Sequence, residues 1–273
     1  MLPEGRVPIY RRIAGDDILI LKGRGISKGR GEGEVVLSES PVSFLGGVEP
    51  STGNIAGRED GRSVKGKVFA FPQGKGSTVG SYVLLEMRRR GTLPAAIINS
   101  VAEPIVATGS VMARVPMVDR IDLGLLREGD LVVVDGDSGT VELPGVRENH
   151  VVSCVLMDGE KMLLLKRSSE VGTFRGYWAS VSGFVEEDET PAETACKELQ
   201  EEIGLHLMFE KEGRTVTVRD GCTVWHVHPY LFRATRPRVV IDWEHTEYSW
   251  VRPQDLKDFQ TVPGLAGIVR DLL

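Results

Sequence analysis

The stretch Gly183-Phe184-Val185-Glu186-Glu187-Asp188-Glu189-Thr190-Pro191-Ala192-Glu193-Thr194-Ala195-Cys196-Lys197-Glu198-Leu199-Gln200-Glu201-Glu202-Ile203-Gly204-Leu205 is the most heavily punctuated segment of the chain. Thr190 suits an N-cap, Pro191 the first helical position, and Glu193 completes a capping box. Gly204 supplies the left-handed stop. The spacing predicts a helix over 191–203. On it Glu198, Glu201 and Glu202 fall at i, i+3 and i+4, so their carboxylates share one patch and repel one another. A hard divalent cation turns that repulsion into binding, because Mg²⁺ takes carboxylate oxygens and keeps waters for substrate phosphates. Taken alone, the trio fits a solvated acidic helix face just as well.

Working back from the helix, Trp178–Val185 reads as a strand. Before it, the apolar runs Val151–Met157 and Met162–Lys166 are joined by Asp158-Gly159-Glu160-Lys161, a hairpin signal. Cys154, inside an apolar run, reads as a buried small hydrophobe.

From Gly183 the chain runs five residues to Glu189 and seven more to Lys197, then Glu198-Leu199-Gln200-Glu201-Glu202-Ile203-Gly204-Leu205. This resembles the signature of the Nudix hydrolases, and the likeness extends to Leu163–Arg167 and to Glu244-His245-Thr246-Glu247-Tyr248-Ser249-Trp250-Val251. The resemblance implies an α/β/α sandwich with a mixed sheet over residues 146–273. It also implies Mg²⁺ or Mn²⁺ held by Glu198, Glu201, Glu202 and the Gly183 carbonyl. Glu201 and Glu198 are then the catalytic candidates, and Lys166 and Arg167 the phosphate contacts, for hydrolysis of a nucleoside diphosphate derivative. Glu244 and Glu247 are outside candidates for the base. Lys197 stands where the family has an arginine that pairs with the glutamate matched by Glu189, and a lysine keeps the charge but loses the bidentate fork. That departure leaves open a domain that binds a nucleotide without cleaving it and regulates its neighbour. Ser180 and Ser182, where the isomerases of this fold carry a cysteine, argue against isomerase chemistry. Tyr177, Trp178, Trp225 and Trp243 can stack on a base or pack a core.

The rest of the chain differs in character. With 273 residues and 29.9 kDa the protein has room for two domains. Residues 1–146 carry 18 basic and 18 acidic side chains and 23 of the 32 glycines; residues 147–273 carry 15 and 21, the whole net charge of −6. The turn-rich stretch from Leu143-Pro144-Gly145 to Asn149-His150 is the expected boundary. The three cysteines, Cys154, Cys196 and Cys222, lack CxxC spacing, which fits a reducing cytoplasm. No apolar run approaches the ~18–20 residues of a membrane span, and the first 20 residues offer no signal-peptide core, so a cytoplasmic location without membrane association is expected. The doublet Lys22–Gly25 and Lys28–Gly31 has no interleaved aromatics, so nucleic acid is not an expected partner.

Short β-branched runs at Gly33–Leu37, Lys67–Phe71 and Leu131–Val134 predict a β-rich first domain, with one helix over Ser81–Arg90. The loop Phe71-Pro72-Gln73-Gly74-Lys75-Gly76-Ser77-Thr78-Val79-Gly80-Ser81 leads into that helix, where backbone N–H groups favour an anion. It is not a Walker loop. The segments Gly23–Gly29, Glu32–Glu34, Pro41–Gly53, Lys75–Ser81 and Pro116–Asp119, in this order, resemble the small subunit of the aconitase X family, which includes phosphomevalonate dehydratases. That resemblance implies a swivelling β/β/α domain over residues 1–145 that acts with a separate large subunit carrying an iron–sulfur cluster. Residues 1–146 contain no cysteine to hold such a cluster. It further implies Ser77 as the catalytic base, supported by Lys75, Gly76 and Thr78, with Ser43 and Thr52 near a phosphorylated substrate. Arg24, Lys28 and Arg30 either face that substrate or are solvated.

Overall fold

The computed structural model describes residues 17–57 and 61–273. The chain divides into two compact units, one ending at Arg147 and the other running Glu148–Leu273.

The first unit contributes β1 (Ile18–Lys22), β2 (Arg24–Ser27), β3 (Arg30–Leu37), a one-turn α1 (Phe44–Gly47), β4 (Val68–Phe71), α2 (Gly80–Arg90), β5 (Ala96–Asn99), α3 (Pro104–Ala113), β6 (Met117–Asp119), β7 (Leu131–Asp135) and β8 (Thr140–Pro144). Its sheet runs β1-β8-β7-β3-β4-β5-β6-β2. β3 to β6 are parallel neighbours, whereas β1, β8, β7 and β3 pair antiparallel, as do β2 and β6. The two halves of the sheet differ as their sequences do. Val-Phe-Ala-Phe and Ala-Ile-Ile-Asn are buried at every residue, as strands covered on both faces must be, while β7 and β8 alternate. α2 lays Val83, Leu84 and Met87 on Phe69, Phe71 and Ile97, and α3 adds Val106 and Ala113.

Only one helix, α2, is expected here from sequence; the one-turn α1 and the ten-residue α3 are additional. Its Pro-Ile-Val-Ala-Thr-Gly-Ser-Val-Met-Ala carries no amphipathic stripe. It starts because Glu103 accepts the N–H groups of Ile105 and Val106, each at 2.7 Å, with Pro104 at its first turn. Gly109 lets it lie against α2, since a Cβ there would meet Ser81 Cα at 3.0 Å.

In the second unit β9 (Arg147–Asp158) and β10 (Lys161–Arg167) form the expected hairpin, with Gly159 at φ 59° in the turn. Only two residue pairs hold them together, Lys161 with Asp158 and Met162 with Met157. The strands then splay and the next segment enters the gap. Instead of one strand over Trp178–Val185 there are two, β11 (Trp178–Ala179) on β10 and β12 (Val181–Phe184) on β9. The segment changes partner at Ser180, whose Oγ meets Ser153 Oγ at 2.9 Å. After α4 (Pro191–Ile203) come β13 (Lys211–Glu212), β14 (Val216–Asp220), β15 (Thr223–Arg233), β16 (His245–Val251) and α5 (Leu265–Leu272). The spine of the sheet is β11-β10-β9-β15-β13, with β16 on β10 and β14 on β15.

α4 covers one face of this sheet, packing Ala195, Leu199 and Ile203 on Val152, Cys154, Tyr230 and Phe232. α5 covers the other through Leu265, Ile268, Val269 and Leu272. The result is an α/β/α sandwich. The capping box at Thr190 and Glu193 and the left-handed Gly204 delimit α4 at 191–203. No described helix is long and apolar enough to cross a membrane.

Candidate functional site

The i, i+4, i+8 stripe that buries Ala195, Leu199 and Ile203 fixes where the glutamates point. Glu202, beside that stripe, is drawn inside and is only 3 % exposed. Its Oε1 accepts the Ser182 N–H at 3.2 Å, while its Oε2 is buried with no hydrogen-bond partner. Burial and the neighbouring Glu198 push its pKa well above the ordinary carboxylate range. Glu198 is half-buried, and burial with repulsion from Glu201 and Glu244 pushes it up to about 7. The Glu198 carboxylate fills the space that a Cβ at Gly183 would need, which explains a glycine at that point of β12. Glu201 lies on the exposed side.

Among the described residues, no three His, Cys, Asp or Glu side chains already converge to metal-ligand spacing. The donor set nevertheless fits a hard cation. It offers oxygen ligands only, one of them buried and unpartnered, and a cation would offset the raised pKa values of Glu198 and Glu202.

The loop before α4 is anchored to it. Lys197 Nζ donates to Glu189 Oε1 at 2.8 Å and Thr194 Oγ1 donates to Glu189 Oε2 at 2.8 Å. The two hydrogen bonds, Lys197's first, hold the Glu189 carboxyl below its usual range. The lysine therefore makes the link expected of an arginine, through one bond.

Lys166 pairs with Glu247 at 2.6 Å and lies over the Trp178 ring, 5.7 Å from its centroid. Arg167 donates Nε to the Thr173 carbonyl at 3.0 Å. Burial, then Asp242, raises the Glu244 carboxyl above its usual range, and Arg167 offsets only part of this. Of the two outside candidates for a base, Glu244 thus sits within the field of Glu198, and Glu247 faces Lys166. Trp178 packs edge-on against Phe259 in the α5 core, Trp225 pairs with Phe184, Tyr177 with Phe174, and Trp243 is exposed.

Sequence reasoning missed two features of this unit. His245 is buried, with Nδ1 3.2 Å from Asp242 Oδ1 and Nε2 3.7 Å from Glu202 Oε2. Three further histidines gather on β9 and β15: His150 stacks on His226 and His228, with ring centroids 4.5 and 5.3 Å apart. Pairs of residues separated by 40 to 80 positions leave no local pattern, so only the strand pairing reveals them.

In the first unit, two loops are zipped together. Val42 N donates to the Gln73 carbonyl at 3.0 Å, and Lys75 N to the Val42 carbonyl at 2.9 Å. This sets Ser43 beside Gly76, where a Cβ would stand 2.8 Å from Ser43 Oγ. Gly76 adopts φ 101°. Lys75, Gly76, Ser77 and Thr78 are all exposed at the start of α2. Ser77 Oγ accepts the Val79 N–H at 3.3 Å, and Ser81 Oγ donates to the Thr78 carbonyl at 2.8 Å. Arg24 does not face this loop as a free cation. Its fork grips Asp119 at 3.0 and 2.7 Å. Burial would raise Asp119, but Arg24 and the Ala102 N–H outweigh it and hold the carboxyl low. Arg30 faces Glu142 at 3.6 Å.

The fold thus defines a chain of two domains, a β-rich unit with parallel and antiparallel halves followed in sequence by an α/β/α sandwich carrying the acidic patch. The Aconitase X swivel domain model matches residues 20–143, and the NUDIX domain model matches residues 148–272. The phosphomevalonate dehydratase small subunit of Thermococcus onnurineus is 52% identical over 126 residues, covering 45% of this chain and 97% of that protein. Its counterpart in Pyrococcus furiosus is 53% identical over 126 residues, covering 45% and 94%. Aconitase X of Thermococcus kodakaraensis, in its holo-form crystal structure, is 51% identical with a TM-score of 0.45, over 46% of this chain and 98% of that one. The MutT protein from Methanosarcina mazei Go1 is 23% identical with a TM-score of 0.42, over 46% and 92%. The chain belongs to the aconitase X small-subunit family through its first unit and carries a Nudix domain as its second.

Proposed function

We propose that the second unit hydrolyses a nucleoside diphosphate derivative with Mg²⁺ or Mn²⁺. The supporting observation is the buried, unpartnered Glu202 Oε2 beside a half-buried Glu198: two carboxylates held where only a cation or a proton makes them comfortable. Glu198, Glu201, Glu202 and the Gly183 carbonyl are the ligands in this reading. The bound ion would neutralise the diphosphate and make the attacking water more acidic. Glu201 and Glu198 are the catalytic carboxylates in this reading, with Glu244 and Glu247 as outside candidates for the base. Lys166 and Arg167 are the cations that meet phosphate in this reading. A panel of nucleotide and isoprenoid diphosphates assayed with Mg²⁺ or Mn²⁺ against wild type and Glu201→Gln tests this. Equal rates in the two proteins would move the activity away from the glutamates.

The first unit, in the same proposal, is the small subunit of a dehydratase acting on a phosphorylated β-hydroxy acid such as 5-phosphomevalonate. It works with a separate large subunit that holds the iron–sulfur cluster, in the cytoplasm. Ser77 takes the proton from the carbon next to the carboxylate while the neighbouring hydroxyl leaves. A serine alkoxide needs donors and a nearby cation, and in this reading Gly76, Thr78 and Lys75 supply them. Ser43, held against Gly76, contacts the substrate's phosphate or carboxylate. Reconstitution with an aconitase X large subunit, comparing wild type with Ser77→Ala, tests the assignment. Hydro-lyase activity that survives the substitution would exclude Ser77 as the base.

A further inference from the structure

We propose that His245 is a positioning residue of the acidic site, fixing Glu202 and the Glu244 loop in the arrangement a divalent cation requires; the inference rests on the metal reading above. Glu202 and His245 are 3 % and 5 % exposed. Glu202 Oε2 and His245 Nε2 are 3.7 Å apart, and neither has any other partner. Two buried polar atoms left unsatisfied are each costly alone, and their juxtaposition lets each serve as the other's polar neighbour.

The imidazole is itself held from behind. Asp242 Oδ1 lies 3.2 Å from His245 Nδ1 and accepts the Glu244 N–H at 3.1 Å. The Asp242 N–H donates to the Glu202 carbonyl at 3.1 Å, tying the loop to the end of α4. The Glu244 carbonyl accepts the Ser168 N–H at 2.7 Å, tying the same loop to the end of β10. His245 therefore sits at the centre of a bracket joining helix, loop and sheet. It reaches the one ligand carboxylate that is fully inside. Ligating carboxylates need such outer partners, because an oxygen free to rotate gives up its geometry when the ion arrives.

The test is Mn²⁺ affinity of the full chain, measured by calorimetry and by the paramagnetic resonance of free Mn²⁺. His245→Phe fills the space and offers no polar atom, while His245→Gln keeps an N–H donor. The expected result is a loss of about 10–100-fold in Mn²⁺ affinity for the phenylalanine variant, with most of it restored by glutamine. Circular dichroism and melting without metal report whether each variant folds. Should His245→Phe not fold, Asp242→Ala, at a half-buried loop position, takes its place and is expected to weaken Mn²⁺ binding in the same direction. Wild-type affinity in a folded His245→Phe, or in Asp242→Ala, overturns the proposal, as does a glutamine variant as weak as phenylalanine. If binding is lost in Glu201→Gln but kept in His245→Phe, only the role of His245 falls. If wild type binds no Mn²⁺, the metal reading falls and takes this one with it.

Discussion

Lys197 Nζ donates to Glu189 Oε1 across 2.8 Å, so one lysine bond, beside that of Thr194, ties the loop ahead of the acidic helix to it. The pair is largely exposed and salt-screened, which makes it a weak contributor to stability. Its consequence is positional. Lys197→Met is expected to slow diphosphate hydrolysis while leaving the melting temperature nearly unchanged, and Lys197→Arg to match or exceed wild type through its fork. Steady-state rates and melting curves of the two variants decide. Unchanged rates in Lys197→Met would mean that Thr194 alone holds Glu189.

Gly183→Ala separates site from fold. The added methyl enters the space of the Glu198 carboxylate, which sits at the end of a flexible side chain and can swing away. The second unit should therefore still fold, with Mn²⁺-induced thermal stabilisation reduced or abolished. A variant that melts normally and gains as much from Mn²⁺ as wild type would show that Glu198 can ligate from another rotamer.

The ease with which α4 can be read from sequence, and the difficulty of α3, has a physical basis. α4 carries its own start, stop and buried stripe, each encoded within 15 residues, so the acidic patch follows from local spacing. α3 is apolar nearly all round and depends on Glu103 and on Gly109 meeting α2, a tertiary contact. The break at Ser180 is equally non-local: the segment is divided by the splay of β9 and β10. For the same reason Glu198, Glu201 and Glu202 are visible in sequence, whereas the Asp242–His245–Glu202 bracket is not. Lys166 shows the same limit from another side. A basic residue at a strand end is easy to notice, but its partner Glu247 lies on a strand 81 positions away.

Gly76 and Ser77 should behave differently although adjacent. A side chain at Gly76 meets Ser43 and is forced to φ 101°, a strain of about 1–3 kcal/mol for a non-glycine residue. Gly76→Ala is expected to lower the melting temperature of the first unit and to abolish reconstituted dehydratase activity. Ser77→Ala removes one exposed hydroxyl, so the melting temperature should hold while the rate falls by about 10²–10⁴-fold, the usual worth of a general base. A Gly76→Ala chain with full activity would show that the Ser43 contact is dispensable.

The stacked histidines give the second unit a pH dependence whose sign is fixed by burial. Desolvation, then repulsion from His226 and His228, lowers His150 to about 4, while Glu148 pulls the other way. Around the stack, His150 Nδ1 meets His228 Nε2 at 3.0 Å, Thr215 and Thr217 reach His228 and His226, and Glu148 Oε1 lies 3.0 Å from His226 Nε2. Glu212 adds a weaker field at His228. In the unfolded chain His150 titrates near its ordinary value of about 6.5, so between there and about 4 the unfolded state binds more protons. The contribution to stability is complete above about 6.5 and is lost as pH falls toward 4. Glu198, raised to about 7, acts oppositely: the folded state holds its proton longer, so stability from that group declines as pH rises through the same range. The wild-type curve alone mixes the two, and a substitution separates them. His150→Gln, which cannot titrate, should lose less melting temperature than wild type between pH 7 and pH 5, measured in metal-free buffer. Parallel curves for the two proteins would mean that the imidazole stack opens on protonation at no cost to the fold.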